Sequence, residues 1–79
     1  MNPMQAVSHR IQELRMDRGL SVNALAGICG ICQSSLHSIL KGYQENISIS
    51  MVQKICDGLE INLTEFFSSE LFRDTPGEW

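Results

Sequence analysis

Cys29-Gly30-Ile31-Cys32 is the stretch of this chain whose residue types and spacing could do metal or redox chemistry. A CxxC can supply half of a structural zinc site, which needs about four ligands. The other candidates, Cys56, His37 and His9, are scattered along the chain. A redox CxxC would open a helix beside a βαβ unit, and no segment here alternates with the period of a strand. Cys29 and Cys56 therefore read as small core residues, Cys32 as a serine-like helix cap, and no metal or cofactor is expected. The rival reading is redox sensing by Cys29 and Cys32, because a thiol at a helix N-terminus has a lowered pKa. That reading predicts a binding affinity sensitive to diamide. Neither a Ser/His/Asp arrangement nor a phosphate loop is present, so the chain does not read as an enzyme. A second group of polar residues follows at once: Gln33, Ser34, His37, Ser38 and Lys41 share one side of a helix.

Two short helices joined by a tight turn, at about 22–41, would position both groups. Leu25 and Ala26 face inward on the first, Gly30 can close it in the left-handed conformation, and Ser21 can cap its start. Leu36, Ile39 and Leu40 form the buried side of the second, which ends at about Lys41 before Gly42. Such a helix-turn-helix presents its second helix to a DNA major groove or to another protein. Upstream, Asn2-Pro3 starts a helix with Met4, Val7, Ile11 and Leu14 on its apolar face; Gln5, Ser8, Gln12 and Arg15 fall largely off that face, and Gly19 stops it. Downstream of a polar loop at 43–47, Ser48 can cap a fourth helix with Val52, Ile55, Cys56 and Leu59 inward, weakened by Gly58 in its last turn. Asn62 and Glu65 make a capping-box-like start for a short fifth helix bearing Leu63, Phe66 and Phe67. The segment 68–72 can prolong it, and Arg73 to Trp79, with Pro76-Gly77, reads as a frayed tail. The expectation is an all-α, compact five-helix domain over 1–72 with a C-terminal tail at 73–79.

Composition agrees with a folded domain: 43% hydrophobic and 19% charged residues suit a globular chain. The longest apolar run is far short of the roughly 18 residues that a membrane span needs. With no secretory leader visible and an odd count of 3 cysteines, the expected compartment is a reducing cytoplasm. The net charge of −3 is unevenly spread. Arg10, Arg15 and Arg18 outweigh Glu13 and Asp17 in the first helix, and Lys41 stands alone in 21–44. The acidic excess lies wholly in 45–79. A phosphate backbone rewards only the basic groups that reach it, so this polarity permits DNA binding through the N-terminal half.

Arg10-Ile11-x-x-Leu14-Arg15, Gly19-Leu20-Ser21, Leu25-Ala26, Gly30-Ile31, Leu36, Ile39 and Gly42 together resemble the lambda-repressor-like DNA-binding domain of Cro/CI, or XRE-type, regulators of phages and bacteria. Ile55-Cys56-x-x-Leu59-x-Ile61-x-Leu63-x-Glu65-Phe66-Phe67 resembles that family's last two helices. The resemblance implies a transcriptional regulator, a repressor in the first instance, that reads double-stranded DNA as a homodimer on a palindromic operator. The third helix would lie in the major groove, with Gln33, Ser34, His37 and Ser38 reading bases and Asn23, Cys32, Lys41 and Tyr43 holding the backbone. Lys41 and the N-terminal arginines would supply the attraction to phosphate. Phe66, Leu71 and Phe72, part of an apolar excess that includes Phe67 and Trp79, would form the dimer contact; the alternative is that Leu71 and Phe72 fold back over the monomer core. Three features depart from the pattern: Val22 replaces a phosphate-binding Gln, and Leu40 replaces an acid that often pairs with the residue matching Arg15. The third is the reading helix itself, which lacks arginine. Arg15 would then turn to solvent, to phosphate or to Asp17. The alternative reading is an antitoxin-like protein-interaction module with the same fold and little DNA affinity.

Overall fold

The computed structural model describes residues 2–73, and the chain runs through five α-helices and a closing 3-10 turn, with no strand among the described residues. They are α1 (Pro3–Asp17), α2 (Val22–Cys29), α3 (Gln33–Leu40), α4 (Ile49–Leu59) and α5 (Leu63–Phe67), with the turn at Glu70–Phe72. None of the helices is long and apolar enough to cross a membrane.

Each helix starts where a short polar side chain can satisfy the first unpaired N–H groups. Asn2 and Gln5 form a reciprocal capping box, at 2.8 and 2.9 Å, with Pro3 in the first position. Ser21 accepts from the Ala24 N–H, Ser48 from Met51 and Asn62 from Glu65. At α5 only the Asn62 half of the expected box forms. Such caps contribute about 1 kcal/mol each. The exception is α3, where Cys32 occupies the cap position but its side chain makes no capping bond. A thiol is a weak acceptor, so it does not substitute for serine there.

The apolar faces converge on one core of Ile11, Leu25, Leu36, Ile39, Ile55 and Phe66 with their neighbours. Two α1 residues depart from the sequence reading. Ala6 is fully buried, and Ser8, expected off the apolar face, is only 7% exposed. The Ser8 hydroxyl donates to the Ile39 carbonyl at 2.8 Å, which satisfies a buried polar group and ties α1 to the last turn of α3. Leu40 is half-buried rather than a full member of the inward face.

Gly58 is the point of closest approach between α2 and α4. A methyl group there would stand 2.5 Å from Cys29 Sγ, 2.9 Å from Cys29 Cα and 3.0 Å from the Ile28 carbonyl oxygen. The residue that looked like a weakness in α4 is what lets the two helices cross. Immediately after, Glu60 closes α4 in the left-handed conformation at φ 59°, a position that sequence alone did not single out. A non-glycine residue there costs about 1 kcal/mol or more.

The α1 arginines are structural. Arg10 donates from Nε to the Phe66 carbonyl at 2.7 Å and from Nη2 to the Glu65 carbonyl at 2.8 Å, and pairs through Nη1 with Glu13 at 2.8 Å. It caps the C-terminus of α5 with a cation, the charge that the helix dipole favours. Arg18 does the same for α4 by donating to the Leu59 carbonyl. Arg15 donates to Gln12 and to the Leu20 carbonyl, each at 2.8 Å, and not to Asp17.

The fifth helix is not prolonged through 72. It ends at Phe67, and Ser69 caps the 3-10 turn, which packs on α1. Phe67 and Phe72 meet edge to face at 4.9 Å, with Phe66 beside them. Phe66 is 0% exposed, so it faces the monomer core and cannot be the dimer contact expected of it. Phe67 is 39% exposed and takes its place at the surface, beside half-buried Leu71 and Phe72. The tail expected beyond Arg73, with Pro76-Gly77 and Trp79, lies outside the described residues.

Candidate nucleic-acid interface

The geometry of the site begins at the turn between α2 and α3. Gly30 takes φ 67° and ψ 34°, the left-handed region where a side chain is strained. Its neighbour Ile31 donates to the Ala26 carbonyl at 3.1 Å, closing α2 in the Schellman manner. Leu25 and Ala26 below, with Leu36 and Ile39 above, are all buried and fix α3 across α2.

This leaves one side of α3 in solvent. Gln33, Ser34 and His37 are exposed and Ser38 is half-buried. Asn23 on α2 and Cys32, Lys41 and Tyr43 at the ends of α3 are exposed as well, Tyr43 at 75%. The first helical bond at the start of α3 runs from the Leu36 N–H to the Cys32 carbonyl, and no side chain caps the groups before it. The N–H groups of Gln33, Ser34 and Ser35 therefore point outward together, where the positive end of the helix dipole favours an anion. Among the expected contact residues, the fold brings Asn23 and His37 together, with His37 Nε2 at 3.4 Å from Asn23 Oδ1.

The electrostatics correct one expectation. Lys41 is the only ionised side chain in 21–44, and the guanidinium groups of Arg10, Arg15 and Arg18 are directed at carbonyls of their own chain. Their charge adds to the field, and the bonds hold Arg15 Nε and Nη1, Arg18 Nη2 and all three nitrogens of Arg10 within the chain. The face is thus polar and hydrogen-bonding rather than basic.

The cysteines divide in the same way. Cys29 and Cys56 are buried free thiols, and Cys32 is exposed. Burial, reinforced by Cys56, pushes the Cys29 thiol up; burial, then Asp57 and Glu65, pushes Cys56 up. Cys29 and Cys56 therefore stay protonated near neutral pH, and neither is an activated thiol. Among the described residues no three His, Cys, Asp or Glu side chains converge to hold a metal ion.

Fold and exposed face together define a helix-turn-helix DNA-binding domain. The chain belongs to the Cro/C1-type helix-turn-helix DNA-binding family, whose model matches residues 10–70. It is 37% identical over 60 residues to the HTH-type transcriptional regulator SlrR of Bacillus subtilis (strain 168), covering 76% of this chain and 40% of that protein. It is 30% identical over 77 residues to the HTH-type transcriptional regulator SinR of the same organism, covering 92% of this chain and 69% of that one. An HTH_3 family transcriptional regulator from Vibrio cholerae superposes with a TM-score of 0.78 at 29% identity, over 86% of this chain and 38% of that one. The chain therefore spans less than half the length of SlrR and of the Vibrio cholerae protein.

Proposed function

We propose that this protein is a sequence-specific transcriptional regulator that represses by occupying an operator with α3 in the major groove. The observation that carries the reading is the exposed polar side of α3, held by a buried core at the start of an uncapped helix. Gln33 extends from the first turn, where its amide can pair bidentately with adenine. Ser34, His37 and Ser38 are the other base readers. Asn23, Lys41, Tyr43 and the N–H groups following Cys32 hold phosphate and set the register. Occupancy of the operator excludes polymerase and needs no catalysis or cofactor.

A palindromic site read by a homodimer follows from the two-fold logic of such operators. Phe67 with Leu71 and Phe72 forms the contact, in place of the buried Phe66. Selection of bound duplexes from a random pool at low salt, followed by footprinting, tests the reading. Retained sequences should be palindromes with half-sites about one helical turn apart. The Gln33→Ala variant should lose discrimination at one base pair of each half-site by about 5- to 150-fold, the equivalent of about 1–3 kcal/mol. The antitoxin-like alternative draws support from the tied arginines and the acidic excess in 45–79. It predicts that the pool yields no sequence and that a protein partner co-purifies.

A further inference from the structure

At the end of α3, the first half of α1 and the loop that follows Leu40 border a cleft of about 520 Å³. Small-molecule sites fall in the range of about 300–1,000 Å³. We propose that this cleft binds a small zwitterion, a free amino acid or a dipeptide, between Lys41 and Glu45, and that the bound molecule competes with DNA for Lys41. The competition rests on the reading that Lys41 holds a phosphate; the binding site does not.

The argument begins with two charges that the fold leaves unpaired. Lys41 and Glu45 line the same cleft, yet they form no ion pair with each other. Among the described residues the one ion pair joins Arg10 to Glu13, and neither the Lys41 ammonium nor the Glu45 carboxylate has a hydrogen-bonding partner. Opposite charges in one cleft select their ligand. A simple anion is drawn to Lys41 and repelled by Glu45, and a simple cation meets the reverse. A molecule that carries a carboxylate at one end and an ammonium at the other gains at both.

The rest of the lining suits such a molecule. Gln5 is held in place by the α1 capping box, its Oε1 accepting from the Asn2 N–H at 2.9 Å and its own N–H donating to Asn2 Oδ1 at 2.8 Å. Its carbonyl oxygen is thus engaged, and the Nε2 hydrogens remain available to a carboxylate beside Lys41. Met4 and Leu40, half-buried against the core, add apolar surface for an aliphatic side chain. Ser8 also lines the cleft, but its hydroxyl is committed to the Ile39 carbonyl. The link to function is Lys41, because a ligand carboxylate and a DNA phosphate are rival anions for one ammonium. By linkage each weakens the binding of the other by the same factor.

The test titrates the full chain with free leucine and with the dipeptide Gly-Leu, following backbone amides by proton–nitrogen NMR. The N-acetyl and C-amide forms of both probes, which lack the ammonium and the carboxylate respectively, are the controls. At least one parent probe should shift amides gathered in 2–9 and 40–45, with a dissociation constant of about 1 mM, as expected where both ion pairs are open to water. Its blocked forms should bind about two- to five-fold more weakly. Glu45→Gln should bind that probe and its N-acetyl form alike, and Lys41→Met should bind it and its amide alike. Both side chains are exposed, so the fold tolerates either change. At saturation the probe should weaken binding of a pool-selected duplex by about two- to five-fold per protomer, and Lys41→Met should abolish that effect. No shift with either parent probe, or blocked forms that bind as well as the parents, overturns the site. Unchanged duplex affinity at saturation overturns the competition. If the pool yields no duplex, the DNA reading falls and the competition with it, while the spectra, recorded without DNA, still decide the site.

Discussion

Replacing Gly58 by alanine adds one methyl group where α2 and α4 cross. Its carbon would lie 2.5 Å from Cys29 Sγ, 2.9 Å from Cys29 Cα and 3.0 Å from the Ile28 carbonyl oxygen. Relaxed contacts of carbon are near about 3.5–4.0 Å. The sulfur can swing away, but the other two atoms are backbone, so α2 must shift by several tenths of an ångström. Overpacking of this kind costs about 1–3 kcal/mol. Alanine returns about 0.5–1 kcal/mol through its better helix propensity. The expected net is a destabilisation of about 1–2 kcal/mol, or a melting temperature lower by about 5–10 °C for a domain this small. Gly27→Ala is the matched control, since it lies in α2 with nothing within 4 Å of the added carbon. It should stabilise by about 0.5–1 kcal/mol. Combining Gly58→Ala with Cys29→Ala removes the sulfur contact but not the backbone ones, and should recover only part of the loss. Thermal unfolding by circular dichroism and urea titration of the four proteins decide the matter. If Gly58→Ala proves as stable as Gly27→Ala, the close crossing is refuted.

Four further outcomes follow from the same structure. Arg10→Met should cost about 1.5 kcal/mol by urea titration, at the low end for a bond to a charged group, because it strands the Phe66 carbonyl while the Glu65 carbonyl still accepts from the Ser68 N–H at 3.3 Å. Glu13→Gln, which loses the charge of a surface ion pair but keeps an oxygen that can accept from the Ser69 hydroxyl, should cost under about 0.5 kcal/mol, and equal losses in the two would contradict the capping role. Ser8→Ala should lower stability by about 1 kcal/mol, at the modest end because the Ile39 carbonyl still accepts from the Gly42 N–H at 3.3 Å. In thiol labelling, Cys32 should react at once, and Cys29 and Cys56 only as the domain opens. Because burial raises both thiols above the ordinary 9.0, the unfolded chain loses those protons first. Stability should therefore fall as pH climbs above about 9, and Cys29→Ala should lessen that fall. Constant stability to pH 10 would argue against the burial effect.

Much of the fold was legible because it is written in local signals. Asn2-Pro3, Ser21, Ser48 and Asn62 cap the helices at which they were placed, and Gly19 and Gly30 close theirs with positive φ. Leu25, Leu36, Ile39, Ile55 and Leu59 are buried, as their 3.6-residue spacing required. The exposed side of α3, with Gln33, Ser34 and His37, followed from the same periodicity, since fixing the inward face fixes the outward one.

What the tertiary structure decided depends on residues far apart in the chain. Ser8 reads as polar surface until the Ile39 carbonyl, 31 residues on, gives its hydroxyl a buried partner. Arg10 reads as a free cation until the carbonyls of α5 arrive beside it, 55 and 56 residues away. Gly58 reads as a helix defect until Cys29 lies against it, and Phe66 as surplus apolar surface until α1 and the 3-10 turn close over that end of the domain. The meeting of Asn23 and His37 across the turn is of the same kind. A sequence specifies which faces of its helices avoid water, because that is a property of each helix alone. Which polar group finds a partner, and where two backbones can touch, is set only when the helices pack.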